Sequence, residues 1–201
     1  MNNFIVFEGL DACGKSTLSQ MYGKDTNTVV HAAVVNEADD LKEIIDAYES
    51  KESAFLFFML NNFLKSNEVA NTLSTEGVIL DRYIFSTLAY QTILLGEDTV
   101  KGVFGALDVA NKILLPDVIV FVKADKKTID DRIERRGGKL QWYGDKVTQK
   151  HSVETAYQTI FKWFDTPIVE IDTSDKTGLT VEDNYQHMKG LIANALKEEV
   201  A

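Results

Sequence analysis

Phe4-Ile5-Val6-Phe7 runs through Glu8 into Gly9-Leu10-Asp11-Ala12-Cys13-Gly14-Lys15-Ser16-Thr17. Four apolar residues in a row predict a short buried strand, and the stretch after them has the form G-x-x-x-x-G-K-[ST], with a helical pattern following from Lys15. Glycines at 9 and 14 let the backbone curl so that consecutive N–H groups point inward at phosphates. The helix N-terminus adds partial positive charge, Lys15 neutralises β- and γ-phosphates, and the Ser16 hydroxyl is suited to Mg²⁺. Gly9, Asp11, Ala12, Cys13, Gly14, Lys15, Ser16 and Thr17 are therefore expected around the donor nucleotide. Cys13 also sits at a helix N-terminus, a setting that favours a reactive thiolate; the alternative is a small inert residue buried under the loop.

Outward from this loop the chain alternates short β-rich runs with longer helical patterns, the signature of a parallel sheet with crossover helices. The strands are expected at Phe4–Phe7, Val29–Val35, Val78–Leu80, Val118–Val122 and Ile168–Ile171, all buried. Helical stretches begin near Lys15, Leu41, Ser53, Ser86, Gly102, Lys127, Ser152 and Val181, and Pro116 and Pro167 stop the patterns that precede the fourth and fifth strands. The expectation is a three-layer αβα sandwich around five parallel strands. With 201 residues, no repeat and no linker-like composition, it is a single domain over 1–201.

Lys plus Arg number 21 against 31 Asp plus Glu, a formal net charge of −10, so capture of a nucleic-acid polymer or an acidic membrane is not expected. One cysteine excludes an internal disulfide. The absence of a basic leader and of an 18-residue apolar run makes a cytoplasmic protein the default. The three histidines are isolated and read as structural or surface residues. Lys126, Lys127, Arg132, Arg135, Arg136 and Lys139 form a local basic cluster, by default a solvated helix face.

Gly77-Val78-Ile79-Leu80-Asp81-Arg82 places a carboxylate at the end of the third strand, where Asp81 would reach the Mg²⁺. Arg82 stands where a motor ATPase has Glu, and neither D-x-x-G nor N-K-x-D is present nearby, so hydrolysis is disfavoured. An arginine beside the magnesium carboxylate suits a second anionic substrate; a plain ion pair is the alternative.

These residues resemble the thymidylate kinases and, more broadly, the nucleoside-monophosphate and deoxynucleoside kinases. The resemblance rests on Phe7-Glu8-Gly9-Leu10-Asp11, Leu56-Phe57-Phe58, Asp81-Arg82-Tyr83 with Ser86 and Ala89-Tyr90-Gln91, and Pro116-Asp117-Val118-Ile119. It implies ATP and Mg²⁺ as cofactors, Asp11 at the acceptor 3′-hydroxyl, Phe58 stacked on the acceptor base, Arg82 on the acceptor phosphate and Tyr90 against the sugar. For Phe58 a purely core role is the alternative. Arg132, Arg135 and Arg136 with Gly137-Gly138 resemble an arginine-bearing helix and a small lid, over about 136–150, that would close on the phosphates, with Arg132 and Arg136 in catalytic roles. Ile171-Asp172-Thr173-Ser174 resembles the approach to the donor adenine.

The departures are as informative. The family usually has Arg-Glu-Pro after the second strand and Asp-Arg or Asn-Arg after the stacking Phe; this chain has Val35-Asn36-Glu37-Ala38 and Asn61-Asn62. Asn62 can offer an amide to the base but no charge, and Thr87 or Gln91 are the candidates to replace the base contact. The resulting expectation is a kinase moving the γ-phosphoryl of ATP to a deoxynucleoside monophosphate, dTMP foremost. A deoxynucleoside kinase using Glu37 as base and a non-catalytic nucleotide-binding domain remain as alternatives. A homodimer is expected, both because the resemblance implies one and because the Phe55–Leu64 helix is apolar around most of its circumference, as a helix packed on both sides would be.

Overall fold

The computed structural model describes residues 2–35, 41, 45, 50–137 and 150–198. Among them, β1 (Phe4–Glu8), β2 (Val30–Ala32), β3 (Val78–Asp81), β4 (Val118–Lys123) and β5 (Ile168–Asp172) form one all-parallel sheet in the order β2-β3-β1-β4-β5. β1 over Phe4–Phe7 and β4 over Val118–Val122 are uninterrupted apolar runs because both their faces are covered, and each strand closes on a charged residue. β5 departs from the expected fully buried strand. At the sheet edge it alternates, with Val169 and Ile171 inside and Ile168 exposed. The second strand is also shorter than the apolar pattern predicted, pairing only over three residues. Ala33 and Val35 instead bond to the side chain of Asn61, a peptide-like amide that substitutes for a ladder partner.

Register fixes which side chains face which layer. Phe7 pairs with Val120 and Glu8 with Phe121, so Phe7 points to one face and Glu8 and Phe121 to the other. α1 (Lys15–Thr26) covers the first, its Tyr22 ring 6.5 Å from Phe7, and packs with α8 (Val181–Glu198). The second is covered by α3 (Ile84–Leu95) and α7 (Lys150–Phe161). There Phe85, Phe121, Tyr157, Phe161 and Phe164 pack with centroids 4.9 to 5.9 Å apart.

α2 (Lys51–Thr72) starts at Ser50, whose hydroxyl accepts from the Ser53 amide at 3.1 Å. It buries Phe55, Phe57 and Met59, yet Leu56, Leu60 and Leu64 are 62%, 53% and 44% exposed, one stripe at four-residue spacing. Within one chain this helix is therefore packed on one side only. The Gly102–Leu115 pattern also splits, into α4 (Glu97–Ala106) and α5 (Val109–Lys112), because Asp108 takes a left-handed conformation (φ 52°) between them. α6 (Lys126–Arg135) is capped by Asp125, which accepts from the Thr128 amide at 2.8 Å. Most of the expected helix near Leu41, together with Asn36, Glu37 and Ala38, and the lid from Gly138 with Lys139, lies outside the described residues.

Candidate active site

β1 ends at the point where the sheet order reverses direction, the place where open parallel sheets form a crevice beyond their carboxyl ends. Gly9 leaves the strand at φ 136°, Ala12 (φ 60°) and Gly14 (φ 99°) are left-handed, and α1 follows at once. A turn that alternates left-handed with ordinary residues directs successive N–H groups into a concavity. Lys15 is 5% exposed and its ammonium donates to the Leu10 carbonyl at 3.0 Å, closing the loop on itself.

β3 pairs with β1 so that Asp81 lies beside Phe7, which brings its carboxylate to the loop. Ser16 Oγ donates to Asp81 Oδ2 at 2.5 Å. The next residue, Arg82, is left-handed (φ 76°), an uncommon state for a long side chain that aims it back over the crevice. Its Nη2 pairs with Asp11 Oδ1 at 2.6 Å, its Nη1 donates to Ser86 Oγ at 3.1 Å and Tyr157 OH at 3.3 Å, and its guanidinium lies 5.5 Å from the Tyr90 ring centre.

A cavity of about 640 Å³ joins these groups. Its lining includes the loop residues Asp11, Ala12, Lys15 and Ser16, then Asp81, Arg82 and Ser86, and also Phe58, Asn62, Thr87, Tyr90 and Gln91. Half-buried Phe58 presents an aromatic ring to this cavity. Asn62 differs from the expectation: its amide N–H groups are already given to the Phe58 carbonyl (2.6 Å) and Thr87 Oγ1 (2.9 Å), so it has no donor to offer a base. The Gln91 carbonyl oxygen is buried without a partner among the described residues.

Other expected residues fall elsewhere. Arg136 lines the cavity, but Arg132 reaches behind the loop, donating to the Ala12 carbonyl (3.3 Å), to Thr173 Oγ1 (3.1 Å) and its carbonyl (2.7 Å), and to Asp175 (3.2 Å). Lys126 and Lys127 form solvent-facing pairs with Asp130 and Asp131, as a solvated helix face would. The Ser174 side chain is 1% exposed; it accepts from the Asp125 amide and donates to Asp172, turned into the protein. Gly14 opens α1 and Thr17 lies in its first turn. The Cys13 thiol is fully buried, which removes the accessible-thiolate reading in favour of a small residue under the loop.

A family model for thymidylate kinases matches residues 7–184. The chain belongs to the thymidylate kinase family. It is 29% identical over 139 residues to a probable thymidylate kinase of Methanococcus vannielii, covering 68% of each chain. It is 28% identical over 173 residues to the thymidylate kinase of Plasmodium falciparum, covering 80% of this chain and 76% of that one. Its fold superposes on a thymidylate kinase from Candida albicans with a TM-score of 0.72 at 21% identity, over 96% of this chain and 92% of that one. A deoxyadenosine kinase from M. mycoides gives 0.67 at 17% identity, over 95% and 99%.

In this member of the thymidylate kinase family, two buried groups around Arg82 were not expected as site residues. Glu8 ends β1 with no exposure, and Tyr157 comes from α7. Glu8 is legible in hindsight as a charge closing an apolar strand; Tyr157 has no local signature. Burial raises the pKa of the Glu8 carboxyl above the ordinary range, opposed by the Arg82 charge and by hydrogen bonds from Ser86, Tyr83 and Tyr157. Burial raises Tyr157 too, helped by the Glu8 charge, and keeps its hydroxyl protonated.

Proposed function

We propose that this chain, acting as a single kinase domain, transfers the γ-phosphoryl of ATP to a deoxynucleoside monophosphate, with dTMP the leading acceptor. The observation that carries this reading is one cavity lined together by the loop residues Asp11, Ala12, Lys15 and Ser16, by Arg82, and by the aromatic and amide side chains Phe58, Asn62, Tyr90 and Gln91. Gly9 through Thr17 take the donor phosphates and Lys15 neutralises the β- and γ-groups. Arg82 grips the acceptor phosphate with Ser86 beside it, Asp11 and Tyr90 meet the sugar, and Phe58 stacks on the base. Asn62, Thr87 and Gln91 border that base. Arg136 adds charge from the rim; Arg132 and the turn at Ser174 support the donor side. Mg²⁺ suits the adjacent Ser16 hydroxyl and Asp81 carboxylate, both hard oxygen donors, and when bound it neutralises charge on the donor phosphates. No general base is required, because the acceptor phosphate is already a dianionic nucleophile, and catalysis becomes positioning and charge neutralisation. Glu37, the base that a deoxynucleoside kinase would need, lies outside the described residues.

An ADP-release assay with dTMP, dUMP, dCMP, dGMP and dAMP tests the reading. With no free donor on Asn62, dTMP is expected to exceed the other deoxynucleotides in kcat/KM by about tenfold, and Asn62→Arg to widen that margin. A strictly dTMP-specific wild type that Asn62→Arg only damages contradicts this account of Asn62. Acceptance of nucleosides but no monophosphate replaces the whole reading.

The Leu56, Leu60 and Leu64 stripe supports a homodimer formed along α2. Sedimentation at micromolar concentration is expected to give about twice the 22.5 kDa chain mass, and a monomer mass rejects the dimer. Among the described residues, no helix is long and apolar enough to cross a membrane. We assign the enzyme to the cytoplasm, with small nucleotides as its substrates.

A further inference from the structure

We propose that Glu8 is the positioning residue for Arg82: by drawing in the hydroxyl protons of Ser86 and Tyr157, it turns their lone pairs onto one edge of the guanidinium. The proposal rests on the reading above, in which Arg82 holds the acceptor phosphate.

The Glu8 carboxylate accepts from four donors: the amides of Tyr83 (2.9 Å) and Ser86 (3.2 Å), Ser86 Oγ, and Tyr157 OH (3.0 Å). Ser86 Oγ and Tyr157 OH are themselves 2.8 Å apart, so with Glu8 Oε2 they form a triangle of oxygens. Each hydroxyl has one proton and a carboxylate has none. Whether Tyr157 donates to Glu8 or to Ser86, both protons lie inside the triangle and both hydroxyls show lone pairs outward. Arg82 Nη1 meets those lone pairs at 3.1 and 3.3 Å.

One edge of the guanidinium is thus held by two hydroxyls that can only accept, while the Nη2 edge rests on Asp11. An arriving phosphate competes with Asp11 for Nη2 and finds the arginine already ordered, which removes part of the conformational cost of binding. If Glu8 loses its charge, a hydroxyl proton is free to turn toward Nη1, donor faces donor, and the held edge is lost. Three elements meet here: β1 supplies Glu8, the start of α3 supplies Ser86, and α7 supplies Tyr157.

A merely structural role, capping the start of α3 through the Tyr83 and Ser86 amides, makes different predictions. Glu8→Gln keeps a carbonyl for the amides and removes the charge. The expected result is an acceptor KM raised about tenfold with a donor KM unchanged within about twofold. Tyr157→Phe removes one lone pair and raises the acceptor KM less, and adding it to Glu8→Gln adds little, because both act through the same edge. NMR of the arginine side chains gives a readout without turnover: the Arg82 ηN–H signals are distinct and slowly exchanging in the wild type and merge in Glu8→Gln. An unchanged Arg82 spectrum overturns the proposal. So does a Glu8→Gln enzyme whose donor and acceptor KM rise together, or whose only defect is a lower melting temperature. A wild type inert toward every monophosphate overturns the acceptor reading, while the Arg82 spectra still decide whether Glu8 orders the arginine.

Discussion

Lys15→Ala lowers phosphoryl transfer by about 100-fold or more, since one charged group aimed at developing phosphate charge contributes several kcal/mol to the barrier. Lys15 is buried at the loop and its ammonium rests on the Leu10 carbonyl, so the side chain is pre-placed within the turn it serves. Losing that hydrogen bond costs stability as well, about 1 kcal/mol. The variant is therefore compared with Lys15→Met, which keeps the apolar stem and loses only the ammonium. Both are assayed by ADP release at saturating ATP and dTMP, alongside thermal melting. Retention of more than about a tenth of wild-type turnover by a folded Lys15→Met enzyme removes the lysine from the catalytic role.

Gly9→Ala has the largest expected effect on the fold. A Cβ at this position would lie 2.1 Å from the Val122 carbonyl oxygen and 3.1 Å from Cys13 Sγ, at a backbone φ of +136° that side chains rarely adopt. The obstructing atom is backbone in a central strand, so it cannot rotate away; β4 and the loop have to separate. A loss of about 4 kcal/mol or more follows, enough to unfold a typical domain partly at working temperature. Gly105→Ala is the matched control, in α4 with open space around its Cβ position, and gains about 0.5–1 kcal/mol from helix propensity. Denaturation midpoints for the two variants are expected to move in opposite directions, and a Gly9→Ala midpoint near wild type contradicts the close approach of loop and strand.

The sheet was legible because β1 and β4 are buried on both faces and so appear as unbroken apolar runs. The same rule misled at the edges, where Val29–Val35 is apolar except for His31 but only three residues pair, and where β5 is half exposed. The break at Asp108 had no glycine or proline to announce it. Asp81 and Arg82 could be named from their place at the end of an apolar strand, and Phe58, Tyr90 and Gln91 from the family resemblance; they line one cavity because register and the α2–α3 packing bring them together. Asn62 shows the limit of that approach. Its chemistry was readable, but the Thr87 hydroxyl that occupies its amide is contributed by another helix. Tyr157 lies 75 residues from Arg82 in sequence, and only the fold makes the pair visible.

The Asp11–Arg82 pair has a consequence for how the enzyme turns over. Under the role proposed for Arg82, the arginine already has a counter-ion, so taking up the acceptor phosphate would be an exchange of partners and not the formation of a new ion pair. The net change in paired charge is small, so added salt weakens acceptor capture less than it would for an arginine waiting alone in solvent. The exchange also runs backwards: when the diphosphate product departs, Asp11 is at hand to reclaim the guanidinium, which leaves the arginine no reason to hold the product.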